Sequence, residues 1–175
     1  VLVVDGTVAF TGGVGLADHW RGRAQSPEHW RDTQVRVRGP AVRALEASFY
    51  ENWIESGGDG APRLDPEPAE RAAATPGTRT IVAWSNFSGG ASNVKLLYLL
   101  SIASARRSID IQSPYVVLDA SMRWSLEAAR ARGVRVRILT DGDHTDAGPV
   151  KAASRAAYDH LLQHGIRIAE FSPTM

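Results

Sequence analysis

The sequence contains no cysteine, which excludes a disulfide framework, a thiolate metal site and a cysteine nucleophile together. Lysine is almost missing too: Lys95 and Lys151 are the only two, and the other basic side chains are arginines and five histidines. An arginine bias follows from genome composition as readily as from phosphate recognition, and the compositional reading is preferred. The formal net charge of +1 argues against a dedicated nucleic-acid binder. No apolar run approaches the roughly 20 residues that span a bilayer, and no signal-peptide pattern is visible, within the residues printed. The G-x-S-x-G elbow and the Walker loop are missing as well, which removes the serine-hydrolase and P-loop chemistries.

What is present is ordinary globular sequence, with 43% hydrophobic residues in 175, enough for a substantial core. Val1–Val4 is an apolar, mostly β-branched run that reads as buried, within a strand over Val1–Asp5. Asp5-Gly6 is a tight-turn pair leading to a second strand at Val8–Phe10. A glycine-rich break follows at 11–15, then a short helix or loop at Leu16–Arg23. Arg31–Arg38 alternates like a half-buried strand and stops at Gly39-Pro40, where Pro40 suits a first helical turn. Beyond it Val42, Leu45, Phe49 and Trp53 recur at helical spacing. Trp20, Trp30 and Trp53 are expected to pack the core of this half. Between residues 57 and 78 glycine, proline and charge dominate, which is linker composition. The division is therefore 1–56, a linker at 57–78, and 79–175.

The second part alternates regularly. Strands are predicted at Thr80–Trp84, Ser108–Gln112, Val134–Thr140 and Ile166–Phe171. Helices are predicted at Asn93–Arg106, Ala120–Arg132 and Pro149–His164, the last ending at Gly165. Repeated strand–helix–strand units imply a parallel α/β sheet, whose ligands bind beyond the carboxyl ends of the strands. Those ends are SNFSGG (85–90), SPY (113–115) and TDGDHTD (140–146). Asp141, Asp143, His144 and Asp146 offer metal-ligand chemistry without EF-hand or zinc spacing, so a solvated acidic loop is preferred. SNFSGG is equally a phosphate cradle on backbone N–H groups or a plain helix-capping loop. His160 and His164 stand four apart on a helix, a metal-pair spacing that the helix dipole explains at least as well.

In order, these pieces resemble the phospholipase D superfamily, most closely its bacterial cardiolipin synthase branch. Members carry two copies of H-x-K-x4-D-x6-G-[GS], one in each α/β half. VLVVDGTVAFTGG is similar to the tail of the first copy, with Asp5 at the Asp place and Gly12-Gly13 as the closing glycines. The motif's Lys would then fall one place before Val1, and its His two places earlier still. The likeness continues through WRDTQVRVRGPAV, FYENW, IASARRSIDIQSPYVV, GVRVRILT and FSPTM, the last resembling the approach to a second H-x-K. Gly15, Gln34 and Leu118 depart from the commonest family residues, which are Asn, His and Pro.

The resemblance implies a phospholipase D-like α/β fold of two sandwich halves, with mixed or parallel sheets flanked by helices, both halves incomplete here. It implies a phosphatidyltransferase that makes cardiolipin from phosphatidylglycerol through a phosphohistidine, without cofactor or metal. Asp5 would support the site, while Gly12, Gly13 and Tyr115 would bind substrate. Tyr115 has an ordinary alternative as a buried aromatic. The printed residues, lacking both His-x-Lys pairs, would be inactive alone. A phospholipid partner and a bacterial cytoplasmic membrane location follow from the family, with no nucleic acid expected. Alternatives are a phosphodiesterase of the same fold acting on nucleic acid, and a degenerate module without catalysis.

Overall fold

The computed structural model describes residues 1–60, 77–85, 93–145 and 148–173. Strand β1 (Leu2–Val4) is joined to β2 (Val8–Gly12) by a turn in which Asp5 and Gly6 both take positive φ, +50° and +59°. Glycine and aspartate tolerate that conformation, and Thr7 N–H closes the turn on the Val4 carbonyl at 3.1 Å. The antiparallel register pairs Leu2 with Phe10, Val3 with Ala9 and Val4 with Val8. Strand β3 (Gln34–Arg38) adds to the other side of β2, also antiparallel. Helix α1 (Ala41–Glu55) starts after Pro40 and covers one face of this sheet. Ala9, Val42 and Leu45 are buried there, with Val3, Val37 and Val82 packed against them.

Covering one face of a pleated sheet buries alternate residues. The expectation that Val1–Val4 is a buried run is therefore corrected: Val3 joins the core, while Val1, Leu2 and Val4 are exposed. Along α1 the apolar stripe is likewise buried at Val42 and Leu45 but exposed at Phe49 and Trp53. The strand expected at Thr80–Trp84 is absent. The segment has no sheet pairing, and it is held instead by Val82 in the core and by Trp84 Nε1 donating to Glu51.

The other sheet matches the strand–helix–strand reading. After helix α2 (Asn93–Ser104) come β4 (Ser108–Gln112), α3 (Ala120–Ala131) and β5 (Arg135–Asp141). Helices α4 (Gly148–Ala156) and α5 (Tyr158–Gln163) lead to β6 (Arg167–Phe171). The strands run parallel in the order β4-β5-β6. The single helix expected over 149–164 is thus two, broken at Ala157. Gly165 ends α5 with φ +76°, as read from the sequence. The core comprises Ile102, Val116, Leu126, Ala129, Val134, Val136, Ile138, Leu161 and Ile166.

By contacts the chain forms two compact units, Val1–Val14 with Asp32–Val94, and Gly15–Arg31 with Lys95–Met175. The segment carrying Trp20 and Trp30 therefore belongs to the second unit and not, as expected, to the first. There Trp30 sits 4.1 Å from the His19 ring and edge-on to Trp20 at 5.4 Å. Most of the expected linker (61–76) and of SNFSGG (86–90) lies outside the described residues.

Candidate functional site

Because β4, β5 and β6 are parallel, their carboxyl ends share one edge of the second unit's sheet. At the end of β4, Ser113 N–H donates to the Leu139 carbonyl at 3.0 Å. The Thr140 hydroxyl donates to the Pro114 carbonyl at 3.3 Å, and Ser113 Oγ bonds both the N–H and the carbonyl of Tyr115. This small knot fixes Tyr115, which is 47% exposed, so the buried-aromatic alternative is corrected. Its side chain lines an apolar groove of about 680 Å³ with Leu97, Tyr98, Ile102, Ile109 and Met122.

Asp141 closes β5 at the same edge, paired in register with Phe171 of β6. It is 2% exposed, so it does not belong to a solvated loop. One carboxylate oxygen lies 3.3 Å from the Thr140 hydroxyl, whose single proton it shares with the Pro114 carbonyl, and the other has no partner among the described residues. Buried carboxylate oxygens are seldom left so. The sequence signal for this residue is the glycine after it. A Cβ at Gly142 would lie 2.4 Å from the Phe171 carbonyl oxygen, so β5 and β6 approach closely only with glycine there.

The rest of TDGDHTD divides. Asp143 is exposed, and its carboxyl is held below the ordinary range chiefly by a hydrogen bond from Lys151, with Arg155 adding charge. His144 is exposed, and Asp146 lies outside the described residues. Beyond the loop, Arg155 forks onto Glu170 at 2.8 and 2.6 Å, lowering the Glu170 carboxyl below its usual range. Burial, and then the charge of Glu170, raises the Tyr158 phenol above its usual value.

In the first unit, Asp5 sits exposed at the tip of the β1–β2 hairpin. Gly12 and Gly13 lie at the opposite end of β2, roughly 13 Å away along the strand. The structure therefore does not bring Asp5 to the glycines. Both glycines answer to β3: a Cβ on Gly12 would meet the Thr33 carbonyl and Gln34 Oε1 at 2.3 Å, and one on Gly13 would meet Asp32 Oδ2 at 1.7 Å. The histidine pair gains a third member, since His160 and His164 on α5 and its cap meet Glu127 of α3.

Residues 98–175 match a family model described as cardiolipin synthase, phospholipase D-like domain. That part of the chain carries a phospholipase D-like domain. A cardiolipin synthase of Geobacillus sp. (strain WCH70) is 35% identical over 98% of this chain and 34% of its own length. One from Halalkalibacterium halodurans is 34% identical, again over 98% of this chain and 34% of the relative. The chain spans about a third of the length of the curated relatives it matches. A solved phospholipase D family member, Nuc from Salmonella typhimurium, is 29% identical over 49% of this chain and 52% of its own, with a TM-score of 0.37.

Proposed function

We propose that this chain is the scaffold of a phosphatidyltransferase that makes cardiolipin from phosphatidylglycerol. The supporting observation is the β1–β2 register. If the family's His-x-Lys precedes Val1 as the resemblance implies, extending the Leu2–Phe10 pairing by two residues sets its Lys across from Gly12 and its His across from Val14. Side chains two apart on a strand share a face, so His and Lys both project on the side of Leu2 and Val4, away from α1. Asp5 in this reading holds the hairpin that aligns the strand.

A phosphodiester is shielded by its own anionic oxygens, so attack needs positive charge around phosphorus. One His attacks the phosphorus of phosphatidylglycerol and glycerol departs, taking a proton from the second His. The phosphatidyl group is now on the imidazole, and the two lysines neutralise its oxygens. A hydroxyl of a second phosphatidylglycerol, losing its proton to the second His, then attacks phosphorus and releases cardiolipin. Tyr115 contacts substrate at the sheet edge, and the apolar groove beside it suits an acyl chain. Action at a membrane surface follows from the substrate. No helix among the described residues is long and apolar enough to cross a bilayer.

The test is conversion of phosphatidylglycerol vesicles by the full-length protein. Cardiolipin and glycerol should appear in equal amounts, with an acid-labile, base-stable phosphoryl adduct on the enzyme. Folded protein with both His-x-Lys pairs intact but no lipid product would reject the reading. Salt-sensitive cleavage of DNA under the same conditions would favour the phosphodiesterase alternative.

A further inference from the structure

We propose that Glu127, His160 and His164 form a three-ligand site for a divalent transition metal, with Zn²⁺ the best fit. One ligand atom from each residue lies within 4.8 Å of the others. His160 Nε2 is 2.7 Å from Glu127 Oε1, and His164 Nε2 is 4.0 Å from Glu127 Oε2. A tetrahedral site with bonds of about 2.0–2.1 Å has ligand–ligand edges of about 3.3 Å, and these two contacts, each to a different Glu127 oxygen, lie within about 0.7 Å of that. Small side-chain rotations therefore suffice to close the site.

The hydrogen bonds prepare it. His164 Nδ1 bonds the His160 carbonyl at 2.8 Å, and a carbonyl only accepts, so the ring proton is on Nδ1. That leaves the Nε2 lone pair of His164 available, and the backbone contact orients the ring as outer-shell partners orient metal-bound imidazoles. His160 at present gives its Nε2 proton to Glu127. Binding requires that proton to move to Nδ1 or to solvent, after which Nε2 and the carboxylate oxygen are both free to coordinate.

The scaffold is firm. Glu127 follows Leu126 on α3 and His160 precedes Leu161 on α5, and both leucines are wholly buried in one core cluster. The three ligands themselves remain accessible, at 21%, 52% and 42% side-chain exposure for Glu127, His160 and His164. Two imidazoles and one carboxylate suit zinc, with a fourth position left to water. The metal would tie α3 to α5 on the outer surface of the second unit, independently of the phosphoryl chemistry proposed above.

The experiment is titration of untagged, chelator-treated full-length protein with Zn²⁺ by calorimetry, and with Co²⁺ by visible absorption. The expected result is a site that H160A and H164A each weaken by more than about tenfold. E127Q, which keeps a hydrogen-bonding partner for His160, should also weaken it and change the Co²⁺ spectrum. H144A should leave it intact, which separates this site from the acidic loop after β5. Absence of binding overturns the proposal, as does binding that survives the H160A/H164A pair or is lost in H144A. In either case the cluster is only a histidine–carboxylate hydrogen-bonded clip between two helices.

Discussion

Gly12 and Gly13 are neighbours in the motif, yet their neighbours in space differ, and the difference is testable. At Gly12 an added methyl meets the Thr33 backbone oxygen, which cannot swing aside, and φ is +155°. G12A should cost about 1–3 kcal/mol, read from the denaturation midpoint of the first unit. At Gly13 the obstacle is the end of the Asp32 side chain. G13A should therefore be rescued by D32A, whereas G12A should not; equal rescue would contradict the contacts. Asp119 permits a test in pH. Its carboxylate caps α3, accepting from Met122 N–H at 2.9 Å, and a hydrogen bond from Lys95 holds it well below the ordinary carboxylate range. A depressed value means that the cap contributes fully above the unfolded value near 4 and is lost as pH falls through the lower folded one. The stability gap between wild type and D119A should persist from neutral pH down to about 4 and close below that. A gap unchanged into strong acid would contradict it.

Helices show what periodicity can reveal. In α3 the predicted face of Met122, Leu126 and Ala129 is the face that packs, with Leu126 0% exposed and Trp124, two residues away, 70% exposed. L126A should lose about 2–5 kcal/mol and W124A less than about 0.5, measured by urea denaturation. Reversal of that order would mean that α3 is rotated on the sheet. A period identifies a stripe but not the length of what lies opposite, which is why Phe49 and Trp53 read as core and are exposed. An unbroken apolar run carries no period-2 signal, so Val1–Val4 could not announce that only Val3 faces α1. The break at Ala157 has no glycine or proline to mark it.

Across the whole molecule, the parallel sheet was legible because β4, β5 and β6 alternate with helices and end in turn residues. The site was legible only as an edge. Asp141 looked solvated because its burial comes from β6, 30 residues downstream, and the Glu127–His160 contact joins residues 33 apart. Tertiary neighbours of that kind leave no local pattern. The same scale decides how the chain should unfold. Among the described residues, the first unit buries three hydrophobic residues in its cluster and the second buries nine. Stability scales with buried apolar area, so the first unit should open at lower denaturant. Tryptophans report on both: Trp53 and Trp84 belong to the first unit, and Trp20, Trp30 and Trp124 to the second. Fluorescence should show two transitions, the earlier moved by L45A and the later by L126A. A single transition shifted equally by both variants would show that the units fold as one.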